Sequence, residues 1–158
     1  MSSDHSSGLL LGFHLEQAFA LVGRTSLDPL PLVDEVLSLQ CGDRLREVDV
    51  GAMRWINPGP RHSLRLASRA GMHGLYEARE LFTAGAASLR DAAAQVEGRV
   101  LPTGMHPWMD ADRAQCWPHG GDTKDQALIS LGGKARHGWA NQQGLRVSLP
   151  FAGEASFR

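Results

Sequence analysis

The sequence predicts an α+β fold, a mainly antiparallel sheet with helices covering one face. Three observations predict it. Residues 13–21, 61–67 and 142–151 alternate apolar and polar side chains with period two, the mark of half-buried strands. Residues 75–96 set Leu75, Ala78, Phe82, Gly85, Leu89, Ala92 and Val96 at three- and four-residue steps, the stripe of an amphipathic helix. The chain order β, α, β, long α, β, loop, β contains no internal repeat.

Each element has its own signal. Residues 1–8 are polar and Ser-rich and read as a disordered tail before a single domain over 9–158. In the first strand Phe13, Leu15, Phe19 and Leu21 share one face, interrupted by Gln17, while His14 and Glu16 fall together on the other. Asp28-Pro29 is a turn leading to a short helix over 31–40, which Gly42-Asp43 ends. Residues 51–62 hold two prolines and two glycines and favour a loop or an interrupted strand. The strand over 61–67 then alternates His62, Leu64 and Leu66 against Arg61, Ser63, Arg65 and Ala67. Gly98 stops the long helix, and Arg99–Leu101 starts a short strand that Pro102 and Gly104 bend. Residues 104–120 are rich in His, Trp, Met and Pro without periodicity, a pattern more frequent at functional loops than at plain connections. In the last strand Gln143, Leu145, Val147, Leu149 and Phe151 oppose a polar face of Gln142, Gly144, Arg146 and Ser148.

Composition removes several function classes. The 158 residues are 42% hydrophobic and 21% charged, enough for a core. A net charge of -1 argues against nucleic-acid binding by phosphate neutralisation and predicts modest solubility. No segment approaches the roughly 20 apolar residues of a membrane span, and no signal segment is visible, so a cytoplasmic protein is expected. Two cysteines, Cys41 and Cys116, read as free thiols. The histidines lack the short paired spacing of a zinc site. Neither a phosphate-binding GxxxxGK[ST] loop nor a GxSxG elbow is present. Cys116 and His119 are sequence neighbours, which seldom make a nucleophile–base pair.

Leu101-Pro102-Thr103-Gly104-Met105-His106-Pro107-Trp108-Met109-Asp110 and His137-Gly138-Trp139-Ala140-Asn141-Gln142 resemble the glutamate–cysteine ligase family, in its bacterial carboxylate–amine ligase branch. Trp117-Pro118-His119 and the opening Gly12-Phe13-His14-Leu15-Glu16 extend the resemblance, as do Thr25–Asp28, Pro31 and Asp34. It runs from about residue 11 to 158. It implies the N-terminal portion of a glutamine-synthetase-like fold with its active site on the concave face of the sheet. It also implies ATP and magnesium as cofactors, with the metal gripped by strand carboxylates, and a carboxylate activated as an acyl phosphate for attack by an amine.

Three of the departures from the family pattern remove an acidic residue. The family's opening strand reads Gly-x-Glu-Leu-Glu; His14 stands for its first Glu and only Glu16 remains. After Trp55 and Asn57 the family has a Glu where this chain has Pro58. Arg65-Leu66-Ala67 replaces Glu-Leu-Lys, and Arg146 and Ser148 replace a His and an Asn. The resemblance therefore implies Glu16 as the surviving metal position, Arg65 and His14 on the cofactor side, and His106, Trp108, Trp139 and Arg146 on the substrate side. Two arginines beside Glu16 either refill a former active site by ion pairing or form a pocket for a carboxylate or nucleotide. Trp108, Trp117 and Trp139 either position substrate or pack the concave side.

The expected function is a truncated, inactive family member. The alternative is an active γ-glutamyl ligase fragment that works with a partner chain carrying the rest of the sheet. An exposed sheet edge would then drive homodimerisation or partner binding.

Overall fold

The structure is a computed structural model that describes residues 12–120, 123–130 and 133–150. Residues 1–11 and 151–158, and with them the proposed tail and Phe151, lie outside the described residues.

One strand organises the molecule. β1 (His14–Gly23) is the longest and runs through the middle of a six-stranded, wholly antiparallel sheet. One side pairs with β4 (Ser63–Ser68). The other side is shared: β6 (Leu145–Ser148) pairs with His14–Gln17 and β5 (Gly98–Leu101) with Ala20–Gly23. Beyond β4 lies a hairpin of β2 (Glu47–Val50) and β3 (Met53–Ile56). Gly51 sits at its tip with φ 60°, a backbone region that glycine enters without a Cβ penalty. This hairpin falls partly in the stretch that the prolines and glycines marked as loop or interrupted strand.

Two helices cover one sheet face. α1 (Val33–Cys41) ends on Gly42 at φ 77°, the left-handed stop expected there. α2 (Leu75–Gln95) buries Ala78, Gly85, Leu89, Ala92 and Ala93. Its small residues let it lie close: a Cβ on Gly85 would meet Met53 Cγ at 3.0 Å. The core between helices and sheet joins Phe19, Leu21, Trp55, Leu64 and Leu66 to Val33, Val36, Leu37 and Leu89. Burying one such leucine stabilises by roughly 1.5–3 kcal/mol. Gly98 does not supply the left-handed stop of α2; Glu97 does, at φ 54°. Gly98 instead starts β5 where a Cβ would collide with Leu21 Cδ1 at 2.8 Å, so packing, not turn geometry, demands glycine.

The remaining segment forms a cap. A 3₁₀ turn (Ala111–Arg113), α3 (Thr123–Ser130) and α4 (Gly133–Asn141) gather around Met109, Ala111, Ala140 and Trp139. The apolar face of β6 behaves differently from the other strands. Leu145 and Val147, with Leu149 just beyond the strand, are 59%, 54% and 50% exposed, so no helix among the described residues covers them.

Candidate anion site on the open sheet face

The register of β1 builds the site. Glu16 lies directly opposite Arg146 on β6 and opposite Ala67 on β4; Arg65 lies opposite Ala18, one step along the same face. Directly opposite and diagonal cross-strand neighbours are within reach of long side chains. Both guanidinium groups use it. Arg65 Nη1 donates to Glu16 Oε2 at 3.1 Å, and Arg146 Nη1 donates to the same oxygen at 3.3 Å. Ala18 and Gly144 are too small to fill the space beside them, and Ala18 N–H is satisfied by the Gly144 carbonyl at 2.9 Å. The result is a cleft of about 160 Å³ lined by Glu16, Ala18, Arg65, Gln142, Gly144 and Arg146, with Leu145 at its edge. Glu16 and Arg65 are half-buried and Arg146 is exposed.

Two guanidinium charges face one carboxylate, which leaves one net positive charge. Magnesium needs several hard oxygen ligands in near-octahedral geometry. Glu16 offers a single carboxylate whose Oε2 already accepts from both arginines. Among the described residues no group of three or more His, Cys, Asp or Glu could hold a metal ion. The residues present do not fit a magnesium site.

The other expected site residues lie elsewhere. His14 is exposed on the same face but does not line the cleft. His106, Trp108 and Trp139 belong to the cap. His106 is buried and fixed three ways: its N–H donates to Asn141 Oδ1 at 2.7 Å, its carbonyl accepts from Asn141 Nδ2, and its Nε2 meets the Leu27 carbonyl at 2.7 Å. Trp108 is 58% exposed, so it is not core. Its Nε1 donates to Asp28 Oδ1 at 3.2 Å and its ring meets His106 edge-on at 5.0 Å. Trp108 lines a second cleft of about 300 Å³ with Asp28, Asp110, Arg113 and His62. The two clefts share no lining residue. Trp139 packs against Gly59 and the small cap cluster, and Trp117 joins the main core. The tryptophans thus divide: Trp117 and Trp139 pack, and Trp108 stands open.

Buried polar groups tie cap to sheet. Asp34 on α1 is fully buried and accepts from Arg61 Nε at 2.8 Å and Nη2 at 3.0 Å, from Arg44 at 2.7 Å, and meets His119 Nε2 at 2.7 Å. Burial pushes its pKa up, but the bonds from Arg61 and His119 and the charges of Arg61 and Arg44 outweigh it, so the carboxyl sits below its ordinary range. His119 Nε2 is thus engaged by Asp34. His62 is buried, with Nε2 at 2.9 Å from the Ala140 carbonyl. Burial holds its pKa below the ordinary value, against the Ala140 bond and with help from His106, so the ring is neutral and its proton sits on Nε2. Asn57 Nδ2 donates to the Pro60 and Ser63 carbonyls, and its Oδ1 accepts from Gly59 N–H. Arg46 pairs with Asp125 and lies over the Trp117 ring. Nothing in period or composition marked the convergence of Asp34, Arg61, Arg44 and His119; the one signal was an aspartate inside an otherwise apolar helix stripe.

No family model matches the chain. It is 27% identical over 130 residues to a protein of Archaeoglobus fulgidus described as an uncharacterized protein, a match covering 82% of this chain and 35% of that relative. The chain thus spans about a third of the length of the relative it matches. No helix among the described residues is long and apolar enough to cross a membrane.

Proposed function

We propose that this chain is a catalytically silent N-terminal portion of a glutamate–cysteine ligase-like protein, of the carboxylate–amine ligase branch. One observation carries the reading: Glu16 is the one carboxylate among the described residues that line the cleft, and it is held by Arg65 and Arg146. Acyl-phosphate chemistry needs divalent metal to bridge and neutralise phosphates. A cleft lined by two arginines and one occupied carboxylate repels that metal. The loss of carboxylates at positions 14, 58 and 65 supports the same reading. A coupled ATP-hydrolysis assay with glutamate and a panel of amines tests it. No magnesium-dependent turnover above buffer is expected, and glutamate-stimulated turnover by the purified chain would overturn it.

A specific observation favours a second reading, an active ligase fragment completed by a partner chain. Leu145, Val147 and Leu149 leave an apolar stripe uncovered on β6, and the matched relative is far longer than this chain. A partner supplying the adjoining part of the sheet would cover that stripe. Such a partner would also have to bring the missing metal carboxylates.

A further inference from the structure

We infer that the Glu16–Arg65–Arg146 cleft is a metal-independent site for a small oxyanion, a single carboxylate or phosphate group. The inference deepens the reading above and rests on it for the absence of metal; its own support is geometric.

The cleft has the donors an oxyanion needs. Arg65 and Arg146 each spend Nη1 on Glu16, and among the described residues neither guanidinium makes another hydrogen bond. A guanidinium carries five N–H donors in a planar fork that matches carboxylate and phosphate oxygens. Most of that capacity is unspent, and the two side chains line one space from the strands that flank β1 on either side. The floor is made by Ala18 and Gly144, where no side chain competes for it. Glu16 acts as a resident anion: its carboxylate holds both arginines in place and competes with a visitor for them. Charge still favours a visitor, because one positive charge remains uncompensated beside a half-buried carboxylate.

Size narrows the ligand. A volume of about 160 Å³ is close to that of a cavity that admits benzene. It takes one phosphate or a short carboxylate and leaves the rest of a nucleotide outside. Gln142, also lining the cleft, adds an amide that is neutral to either ligand.

Calorimetry without divalent cations tests the site, with inorganic phosphate in one arm and acetate and glutarate in the other. The wild-type chain should bind at least one at millimolar concentration, and the arm that binds identifies the group. Glu16→Gln removes the competitor and keeps the shape, so binding should tighten by about tenfold. Arg65→Gln with Arg146→Gln should abolish it. All three side chains reach solvent, and thermal melts of each variant check that the fold persists. Absence of heat with both wild type and Glu16→Gln overturns the inference, as does binding that survives loss of both arginines. Its failure differs from failure of the silent-ligase reading: that reading falls on ATP turnover, whatever these titrations give.

Discussion

Arg61 grips Asp34 with two parallel bonds, Nε to Oδ1 at 2.8 Å and Nη2 to Oδ2 at 3.0 Å, and so locks the turn before β4 onto α1. The carboxylate is wholly buried, and Arg44 and His119 add to it. Removing one partner of a buried pair leaves charge stranded, at a cost of about 3–5 kcal/mol. Asp34→Asn should therefore lower the unfolding free energy by that order, read as a lower urea midpoint at unchanged slope. A change under about 1 kcal/mol would place Asp34 with surface ion pairs instead.

Acid should unfold the chain in two stages. His62 has a folded pKa below its ordinary 6.5, so the unfolded chain takes the proton first and stability falls as pH drops below 6.5 toward the folded value. Asp34 has a folded pKa below its ordinary 3.8. Its contribution is complete above 3.8 and is lost as pH falls through the folded pKa. His62→Gln can keep a donor for the Ala140 carbonyl and should erase only the first stage. Thermal melts across the pH range read both.

Gly59 has no room for a side chain. Its φ is 137°, and a Cβ would lie 2.8 Å from Asp125 Oδ1 and 3.0 Å from Trp139 Cζ2. Gly59→Ala should cost about 1–3 kcal/mol and loosen α3 and α4 from the sheet. Faster amide exchange in those helices, with the α2 core unchanged, is the expected signature.

The uncovered stripe on β6 should govern association. Leu145→Lys with Val147→Lys places charge on a strand edge and should reduce concentration-dependent self-association in light scattering. Both side chains are already exposed, so the melting temperature should barely move. A wild-type chain that stays monomeric at high concentration would remove the stripe as an association surface.

Much of the fold was legible because burial writes period into sequence. The alternation around Phe19 and Leu64 and the stripe through Gly85 and Leu89 became β1, β4 and α2. The last strand was legible as a strand but not as exposed, since Leu145 and Val147 read the same whether or not a partner layer exists. The hairpin through Met53 was obscured by the prolines that follow it, and α3 and α4 by weak periodicity. Within the candidate site, parity alone put Glu16, Arg65 and Arg146 on one polar face once their strands paired. Tertiary packing decided the rest. It holds His106, Trp108 and Trp139 in the cap, where they answer to Asn141, Asp28 and the small cap cluster.

Arg65 and Arg146 both occupy Glu16 Oε2 and should exclude a divalent metal from it. Titration with manganese, a paramagnetic stand-in for magnesium, tests it most directly through the backbone amide signals of Glu16, Ala18 and Gly144. Those signals should keep their intensity at millimolar manganese. Selective broadening centred on Glu16 and its neighbours would show a cation bound where two guanidinium groups should exclude it, and would contradict the account.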